Sequence, residues 1–451
     1  MHPLDSASNE AMVWNDRVFS WSLLDEYVHS TSRRLKEIGV KYGARVLVEA
    51  VPSAGTVIVL LSLWHIGAVA CPFDPRLPEG LAQAIRRKVA PFLLLTASSS
   101  DKRFPGLRTF MTDDVICLEP VERFMAGSSG SNGLSDGREA TVLFTSGSSG
   151  DPKAVLHTFK AHWMNAKGAG QVIPFAAGDR WLMALPLHRI SGIAVIFRAL
   201  YGRGAMVLPG KNFPDIADAI LKYKPTHISL VSSQFLRLLE VLPQEAWKPL
   251  KAVLIGGAPV PERLMERAAQ YSLPVFLTYG MTETGSQIAT SPLNEARECG
   301  GARVIPFREV NLINGEICVR GDILFKGYID GDDTEIPLDE NGWFHTGDEG
   351  TFAPPFLTVT GRRDRMFISG GENVFPEVIE KALLSLDQVV SARVEPKDDP
   401  LFGRVSKAYI RLKQGVAFDD TQFKRLLKER LFPFQVPKEF IVDPDYPFPE
   451  K

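Results

Sequence analysis

The stretch Thr145-Ser-Gly-Ser-Ser-Gly-Asp-Pro-Lys153 combines residue types that could hold a polyphosphate. Gly147 and Gly150 allow positive φ and a close approach of the backbone, so successive N–H groups can converge on an anion. Lys153 adds a positive charge at the end of the stretch. The hydroxyl groups that could donate to the same phosphate oxygens belong to Thr145, Ser146, Ser148 and Ser149.

This stretch differs from the P-loop of nucleotidases. A P-loop needs Gly-Lys followed directly by Ser or Thr, whereas here Pro152 precedes the lysine and Ala154 follows it. Taken alone, the residues leave a flexible Ser/Gly linker as the alternative.

A second group of chemically active side chains lies in Val275-Phe-Leu-Thr-Tyr-Gly-Met-Thr-Glu-Thr284. Tyr279 could stack on a base, Thr282 could bond a phosphate, and Glu283 could hold Mg²⁺ against phosphate oxygens. Further along, Asp348 either caps its own turn or accepts two hydrogen bonds from the vicinal hydroxyls of a ribose.

Two more segments follow predicted strands, where ligands of α/β sheets bind. Gly256-Gly-Ala-Pro259 could lie flat against a planar ring, because its glycines leave the backbone open. Pro186-Leu-His-Arg-Ile-Ser-Gly192 brings a histidine and an arginine to another strand end, as surface residues or as part of a site.

The elements that position these residues alternate between strand and helix. Residues 19–40 have apolar positions at helical spacing with Gly39 as a stop, then Arg45–Ala50 predicts a strand and residues 55–66 a helix. Ala140–Phe144 predicts a buried strand before the phosphate loop, and residues 157–170 predict a helix after it. This order is typical of a parallel α/β sheet.

Composition excludes several classes of function. The 51 basic and 53 acidic residues give a net charge of −2, which argues against nucleic acid or an anionic membrane as the main partner. The four cysteines have no CxxC spacing, so neither a zinc site nor a disulfide framework is predicted. A reducing cytoplasm fits them, and residues 1–5 do not resemble a secretory signal.

A length of 451 residues predicts more than one domain. The charged segment Gly361-Arg-Arg-Asp-Arg365 precedes a small α+β pattern, with Pro376 at a helix start. We predict a large N-terminal domain over residues 1–363 and a small C-terminal domain over 364–451. The sequence leaves open whether the chain forms homo-oligomers.

From about Arg45 to Lys451 the sequence resembles the acyl-adenylate-forming ligases, which include acyl-CoA synthetases, luciferase relatives and peptide-synthetase adenylation domains. Five motifs of that family recur in order: Thr145–Lys153, Tyr279–Glu283, Thr346–Asp348, Gly361–Asp364 and Pro376–Glu380. The compact length and the Ser286-Gln287 pair are most similar to the branch that joins o-succinylbenzoate to CoA for menaquinone synthesis.

The resemblance implies an α/β fold of stacked sheets with a β-barrel-like part and a mobile C-terminal lid. It implies that a carboxylate attacks the α-phosphate of Mg·ATP, and that CoA thiolate then displaces AMP. The implied catalytic residues are Lys153, Thr282, Glu283 and Asp364, with Glu283 on magnesium and Asp364 at the hinge. The implied nucleotide contacts are Thr145, Ser146, Gly147, Ser148, Ser149, Gly150, Lys153, Gly256, Gly257, Ala258, Pro259, Thr278, Tyr279, Gly280, Met281, Thr282, Asp348 and Arg362. The implied acyl pocket comprises His188, Arg189, Ser191, Ser232, Gly285, Ser286 and Gln287, and the implied CoA path comprises Ser369, Gly370 and Gly371.

Two departures from the family pattern carry expectations of their own. Relatives have an aromatic residue followed by His where this chain has His188-Arg189, and we expect His188 to wall the acyl pocket and Arg189 to pair with a substrate carboxylate. Relatives also carry a Gly-Lys beyond a Leu-Pro or Phe-Pro, and Lys451 falls too early after Phe448-Pro449 to be that lysine. We expect either a truncated chain or weak adenylation with better preserved thioester formation.

Three alternatives remain at this point. The chain could ligate another aryl or medium-chain acid, or it could be an adenylation module that loads a carrier protein. It could also be a non-catalytic relative that senses nucleotides. The proposed ligands in every enzymatic case are ATP, Mg²⁺ and a carboxylic acid, with CoA as co-substrate.

Overall fold

The fold was determined as a computed structural model of the chain. It describes residues 9–98, 102–116, 137–146, 152–209, 216–257, 260, 262–362, 366–443 and 446. Within these residues, no helix has the length and apolarity that a membrane crossing requires.

The helices follow closely from local sequence signals. In the first helix the Ser20 side chain accepts a hydrogen bond from the Leu23 backbone, and the chain leaves through Gly39 at a φ of 94°, where a glycine stop was predicted. The helices are α1 (Trp21–Glu37), α2 (Ala54–His65), α3 (Glu79–Val89), α4 (Thr112–Val115), α5 (Phe159–Val172), α6 (Ile190–Gly202), α7 (Ile216–Tyr223), α8 (Ser232–Val241), α9 (Glu262–Gln270), α10 (Leu293–Glu298), α11 (Pro376–Leu384) and α12 (Asp420–Lys428).

The strands carry the β-branched and apolar runs. They are β1 (Glu10–Trp14), β2 (Arg17–Ser20), β3 (Arg45–Glu49), β4 (Val69–Phe73), β5 (Leu93–Thr96), β6 (Thr109–Met111), β7 (Glu139–Ser146), β8 (Pro152–Thr158), β9 (Arg180–Leu182), β10 (Ala205–Leu208), β11 (His227–Leu230), β12 (Ala252–Ile255), β13 (Val275–Met281), β14 (Ser286–Pro292), β15 (Ala302–Arg303), β16 (Glu309–Ile313), β17 (Glu316–Arg320), β18 (Gly327–Asp330), β19 (Asp333–Glu335), β20 (Phe344–Ala353), β21 (Phe356–Arg362), β22 (Phe367–Ser369), β23 (Glu372–Val374), β24 (Val389–Asp399), β25 (Gly403–Leu412) and β26 (Glu439–Val442).

Two eight-stranded sheets form the body of the protein. Their strand orders are β14-β13-β12-β11-β9-β10-β1-β2 and β19-β18-β8-β7-β4-β3-β5-β6. One buried apolar cluster joins residues of both sheets with residues of α1, α2, α5 and α6, including Trp64, Trp181 and Phe197. The helices therefore lie between the sheets, as the predicted stacked α/β fold requires.

The segment after the phosphate loop corrects one prediction. Strand β8 pairs antiparallel with β7, with Thr145 opposite Lys153, so the loop joins two neighbouring strands. The helix predicted from His157 begins at Phe159 instead, because Ala154 to His157 are fully buried in the sheet. Burial on both faces hides the alternation that marks a strand.

The remaining strands form two smaller sheets. The order β15-β21-β20-β17-β16 is the sheet predicted as β-barrel-like, and residues 366–443 build a separate sheet of β22 to β26. That last sheet and α11 and α12 share an apolar core of their own, around Phe367, Ile379 and Phe423. The boundary predicted at 363/364 falls outside the described residues and stays a prediction.

Candidate active site

One cavity of about 2100 Å³ lies where β9, β11, β12 and β13 end, and it extends to the C-terminal sheet. Parallel strands place their carboxyl ends on one edge, which is where ligands of such sheets bind. The predicted site residues that line it are Thr145, Lys153, Arg189, Ser191, Ser232, Gly256, Gly257, Thr278, Tyr279, Gly280, Met281, Thr282, Glu283, Ser286, Gln287, Asp348, Gly370 and Gly371. Lys153, Glu283 and Asp348 thus share one cleft although they are far apart in the sequence.

The predicted ribose site is built by two strands of the third sheet. Asp348 lies directly opposite Arg362 in the β20–β21 pair, and the Asp348 side chain is buried. The Tyr279 hydroxyl donates to Asp348 Oδ2 at 2.6 Å. Tyr279 therefore orients the carboxylate that would accept the ribose hydroxyls, in addition to presenting its ring.

The predicted phosphate and magnesium groups meet at a tyrosine that the sequence analysis missed. The Tyr328 hydroxyl donates to Glu283 Oε1 at 2.9 Å, and Lys153 Nζ lies 4.7 Å from the centre of the Tyr328 ring. Glu283 is 8% exposed, on the cavity wall. Carboxylate oxygens are the donors that Mg²⁺ prefers, and Glu283 presents one on the cavity wall together with Lys153, so the residues fit the ion.

The turn that carries Thr282 and Glu283 is held from behind by buried polar groups. His157 Nε2 donates to the Thr282 carbonyl at 2.7 Å, and the Asn165 amide donates to the carbonyls of Thr284 and Gln287 at 3.2 Å each. Burial lowers the pKa of His157 to about 4, so the ring is neutral at physiological pH. These bonds hold the catalytic turn in place without adding charge to it.

Glycines bring the backbone close at two points of the nucleotide site. A Cβ on Gly280 would lie 1.9 Å from the Ser286 carbonyl oxygen, at the irregularity between β13 and β14. A Cβ on Gly256 would lie 2.6 Å from Thr278 Cγ2. A side chain at either position would clash with these neighbours, so the two glycines allow the close backbone approach at the nucleotide site.

Beside the predicted acyl-pocket residue Gln287, the cavity contains a second residue that the sequence did not point out. Arg198 lines the cavity, is 5% exposed, and donates through Nη2 to Gln287 Oε1 at 2.6 Å. Its guanidinium carbon lies 4.8 Å from the centre of the Trp181 ring. Burial lowers its pKa to about 10, which leaves it charged at neutral pH.

This buried charge is not neutralised by the described part of the chain. No Asp or Glu side chain among those residues lies within 4.0 Å of Arg198, and its Nε has no hydrogen-bond partner there. An unpaired buried cation is costly unless a ligand neutralises it. The signal in the sequence was an arginine inside the otherwise apolar helix α6.

Of three further predicted acyl-pocket residues, two are not among the residues that line the main cavity, and the third lines it but has a partner within the protein. His188, expected to wall the pocket, is buried beside a separate small cavity, and its Nε2 lies 3.3 Å from Asp74 Oδ2. A Cβ on Gly285 would lie 3.2 Å from the Ile323 carbonyl oxygen and 3.7 Å from the Ala161 carbonyl oxygen. Arg189 lines the main cavity but pairs through Nη2 with Glu372 Oε2 of the C-terminal sheet.

Of the predicted CoA path, Gly370 and Gly371 line the cavity, whereas the Ser369 side chain is buried in its sheet. Both glycines have positive φ, 57° and 85°, and a Cβ on Gly371 would lie 2.3 Å from Val231 Cγ1. Only glycine allows the hairpin tip to approach the large domain so closely.

The other predicted residues lie outside the described part of the chain. They are Gly147, Ser148, Ser149, Gly150, Ala258, Pro259 and Asp364, together with the side chains of Ser146 and Arg362.

Comparison with known proteins agrees with this geometry. The profile of the AMP-binding enzyme family matches residues 5–329. A 2-succinylbenzoate–CoA ligase from Salmonella typhimurium is 31% identical over 435 residues, which cover 96% of this chain and 90% of that protein.

Two solved structures of o-succinylbenzoate CoA synthetase from Bacillus subtilis are similar over most of their lengths. The double mutant bound to the product analogue OSB-NCoA has a TM-score of 0.85 at 28% identity and covers 96% of this chain and 91% of that chain. The complex with ATP and a magnesium ion has a TM-score of 0.71 at 28% identity and covers 96% and 93%.

Proposed function

The chain belongs to the family of AMP-binding enzymes. We propose that it ligates o-succinylbenzoate to CoA. It is an AMP-forming acid–CoA ligase that uses ATP, Mg²⁺ and CoA. The reaction passes through an acyl-AMP intermediate and serves menaquinone synthesis. The cytoplasm supplies ATP and CoA, and we place the reaction there.

The observation that carries the choice of substrate is the buried charge of Arg198, which no carboxylate among the described residues neutralises. Only one carboxylate of a substrate is consumed by activation, so a dicarboxylic acid keeps a second one for Arg198 to hold. Gln287 and Trp181 fix the guanidinium, so its free N–H groups have a set direction. A medium-chain monocarboxylic acid would bring no second carboxylate to this charge, which disfavours that alternative.

In the first half-reaction, a carboxylate oxygen attacks the α-phosphorus of ATP and pyrophosphate leaves. Both reactants are anions, so the protein's task is positioning and neutralisation. Lys153 supplies positive charge at the phosphates, and Asp348 with Tyr279 holds the ribose. Glu283, oriented by Tyr328, would hold magnesium, which when bound neutralises phosphate oxygens.

In the second half-reaction, the CoA thiolate attacks the acyl carbon of the adenylate and AMP leaves. The hairpin tip Gly370-Gly371 lines the cavity and offers a path without side chains for the thiol arm. Asp348 and Tyr279 then hold AMP as the leaving group by the same contacts as before.

The test is pyrophosphate release and thioester formation with a matched set of acids. Beside o-succinylbenzoate, 4-oxo-4-phenylbutanoate lacks the ring carboxylate and 2-butanoylbenzoate lacks the chain carboxylate. We expect activity with o-succinylbenzoate and at least about tenfold lower kcat/KM with either monoacid, because a charge-assisted bond contributes about 1.5–3 kcal/mol. Pyrophosphate release with none of the acids would refute the proposal.

Variants of Arg198 test the same assignment from the protein side. Arg198→Met should lower kcat/KM for o-succinylbenzoate by about 10- to 100-fold, while its effect on the monoacid that keeps only the activated carboxylate stays within about threefold. Arg198→Lys should lie between, since it keeps the charge but not the planar fork. Equal losses for diacid and monoacids in Arg198→Met would remove Arg198 from substrate recognition.

A further inference from the structure

An ion pair joins the start of helix α6 in the large domain to the C-terminal sheet. Arg189 is the N-cap residue of α6, and its Nη2 pairs with Oε2 of Glu372, the first residue of β23. The two side chains are 26% and 22% exposed, so both are partly withdrawn from water. Partial burial makes such a pair more directional and less screened than one at the surface.

The pair stands directly beside the hairpin tip that lines the cavity. Gly370 and Gly371 form the tip between β22 and β23, and Glu372 follows them. Gly371 rests on Val231, the N-cap residue of α8, and its carbonyl oxygen is 3.7 Å from the position of a Cβ on Gly257. The tip therefore sits over the ends of β11 and β12, and the charged residue Glu372 follows it directly in the chain.

Apolar contacts alone do not determine where this tip sits. Glycines offer little area to bury, and apolar contact has no preferred direction. The ion pair supplies direction, because Arg189 is held at its backbone by the first turn of α6 and Glu372 is held by its strand. An interaction present in one domain arrangement and absent from another shifts their equilibrium by its own free energy.

We propose that Arg189 and Glu372 are positioning residues for the thioester-forming half-reaction. Their ion pair seats the Gly370-Gly371 tip on Val231 and so completes the path for the thiol arm. We assign it no role in adenylation. The inference rests on the proposed function, because it presupposes that a CoA thiol follows this path.

The experiment measures the two half-reactions separately by single turnover. Pyrophosphate release without CoA reports adenylation, and thioester formation after adding CoA to the preformed acyl-adenylate reports the second step. Glu372→Gln should slow the second step by about tenfold and leave pyrophosphate release within about twofold of the unmodified enzyme. The double variant Arg189→Glu/Glu372→Arg, which reverses the pair, should restore the second step to within about threefold.

The control is Glu439→Gln, which removes the ion pairs of Glu439 with Lys397 and Lys407 inside the C-terminal sheet region and should alter neither half-reaction. If Glu372→Gln keeps the rate of thioester formation, or if the reversed pair restores nothing, the positioning role is refuted. In either of those cases an unmodified enzyme that performs both half-reactions leaves the proposed function intact. Failure of the unmodified enzyme to release pyrophosphate with any acid would instead refute the proposed function.

Discussion

Replacing Tyr279 by Phe removes the hydrogen bond to the Asp348 carboxylate, the group proposed to bind ribose, and keeps the aromatic ring. The change removes one hydroxyl, whose 2.6 Å bond to Asp348 Oδ2 holds that side chain in place. Asp348 is 5% exposed, so water can replace the lost donor only in part. A hydrogen bond to a charged group contributes about 1.5–3 kcal/mol, and we take the lower end because part of the loss is recovered.

A loss of about 1.5 kcal/mol corresponds to roughly tenfold weaker binding. The proposed function places ribose on Asp348 in ATP, in the acyl-adenylate and in the transition states alike, so we expect KM for ATP to rise about tenfold with little change in kcat. The assay is pyrophosphate release over a range of ATP concentrations at saturating o-succinylbenzoate and magnesium.

The matched control is Tyr328→Phe, which removes the same hydroxyl from a bond to Glu283 Oε1 of 2.9 Å. It should raise the Mg²⁺ concentration needed for half-maximal rate, with ATP kept saturating. An unchanged KM for ATP in a folded Tyr279→Phe variant would refute the argument that Tyr279 orients Asp348. If both variants changed KM for ATP and the half-maximal Mg²⁺ concentration to the same extent, the assignment of Tyr279 to the ribose site and of Tyr328 to the magnesium site would be refuted.

Two further predictions concern stability and the catalytic turn. Burial lowers the pKa of His157 from the ordinary 6.5 to about 4, so the stability it contributes is complete above pH 6.5 and is lost as pH falls towards 4. We expect the free energy of unfolding to fall by about 3 kcal/mol through this group, which lowers the midpoint of urea denaturation as the pH falls. In His157→Gln the midpoint should depend less on pH. An equal pH dependence in both proteins would contradict this role of His157. Gly280→Ala should lower the stability by about 2 kcal/mol and weaken ATP binding, since its Cβ would meet the Ser286 oxygen at 1.9 Å. Gly80→Ala, where a Cβ meets nothing within 4 Å in a helix, should raise the melting temperature slightly, and a loss in that control would question the steric reasoning.

Much of the site could be predicted because its residues follow one another in short motifs. Tyr279, Thr282 and Glu283 are neighbours in the chain, so a strand end places them together whatever the rest of the fold does. The partners of those residues could not be predicted in the same way. Tyr328 lies 45 positions beyond Glu283, and only the pairing of β18 with β8 brings its hydroxyl to that carboxylate.

The sequence by itself determined the family, the order of motifs and most elements, because apolar periodicity and glycine positions act over a few residues. Tertiary structure decided that His157 lies in a strand, that Arg198 faces the cavity and that Arg189 pairs with Glu372. The sequence shows Arg198 inside an otherwise apolar helix but not what its side chain faces, and a contact 183 residues apart has no local signal. Packing decides such cases, since burial and the choice of charge partner depend on which elements come together in space.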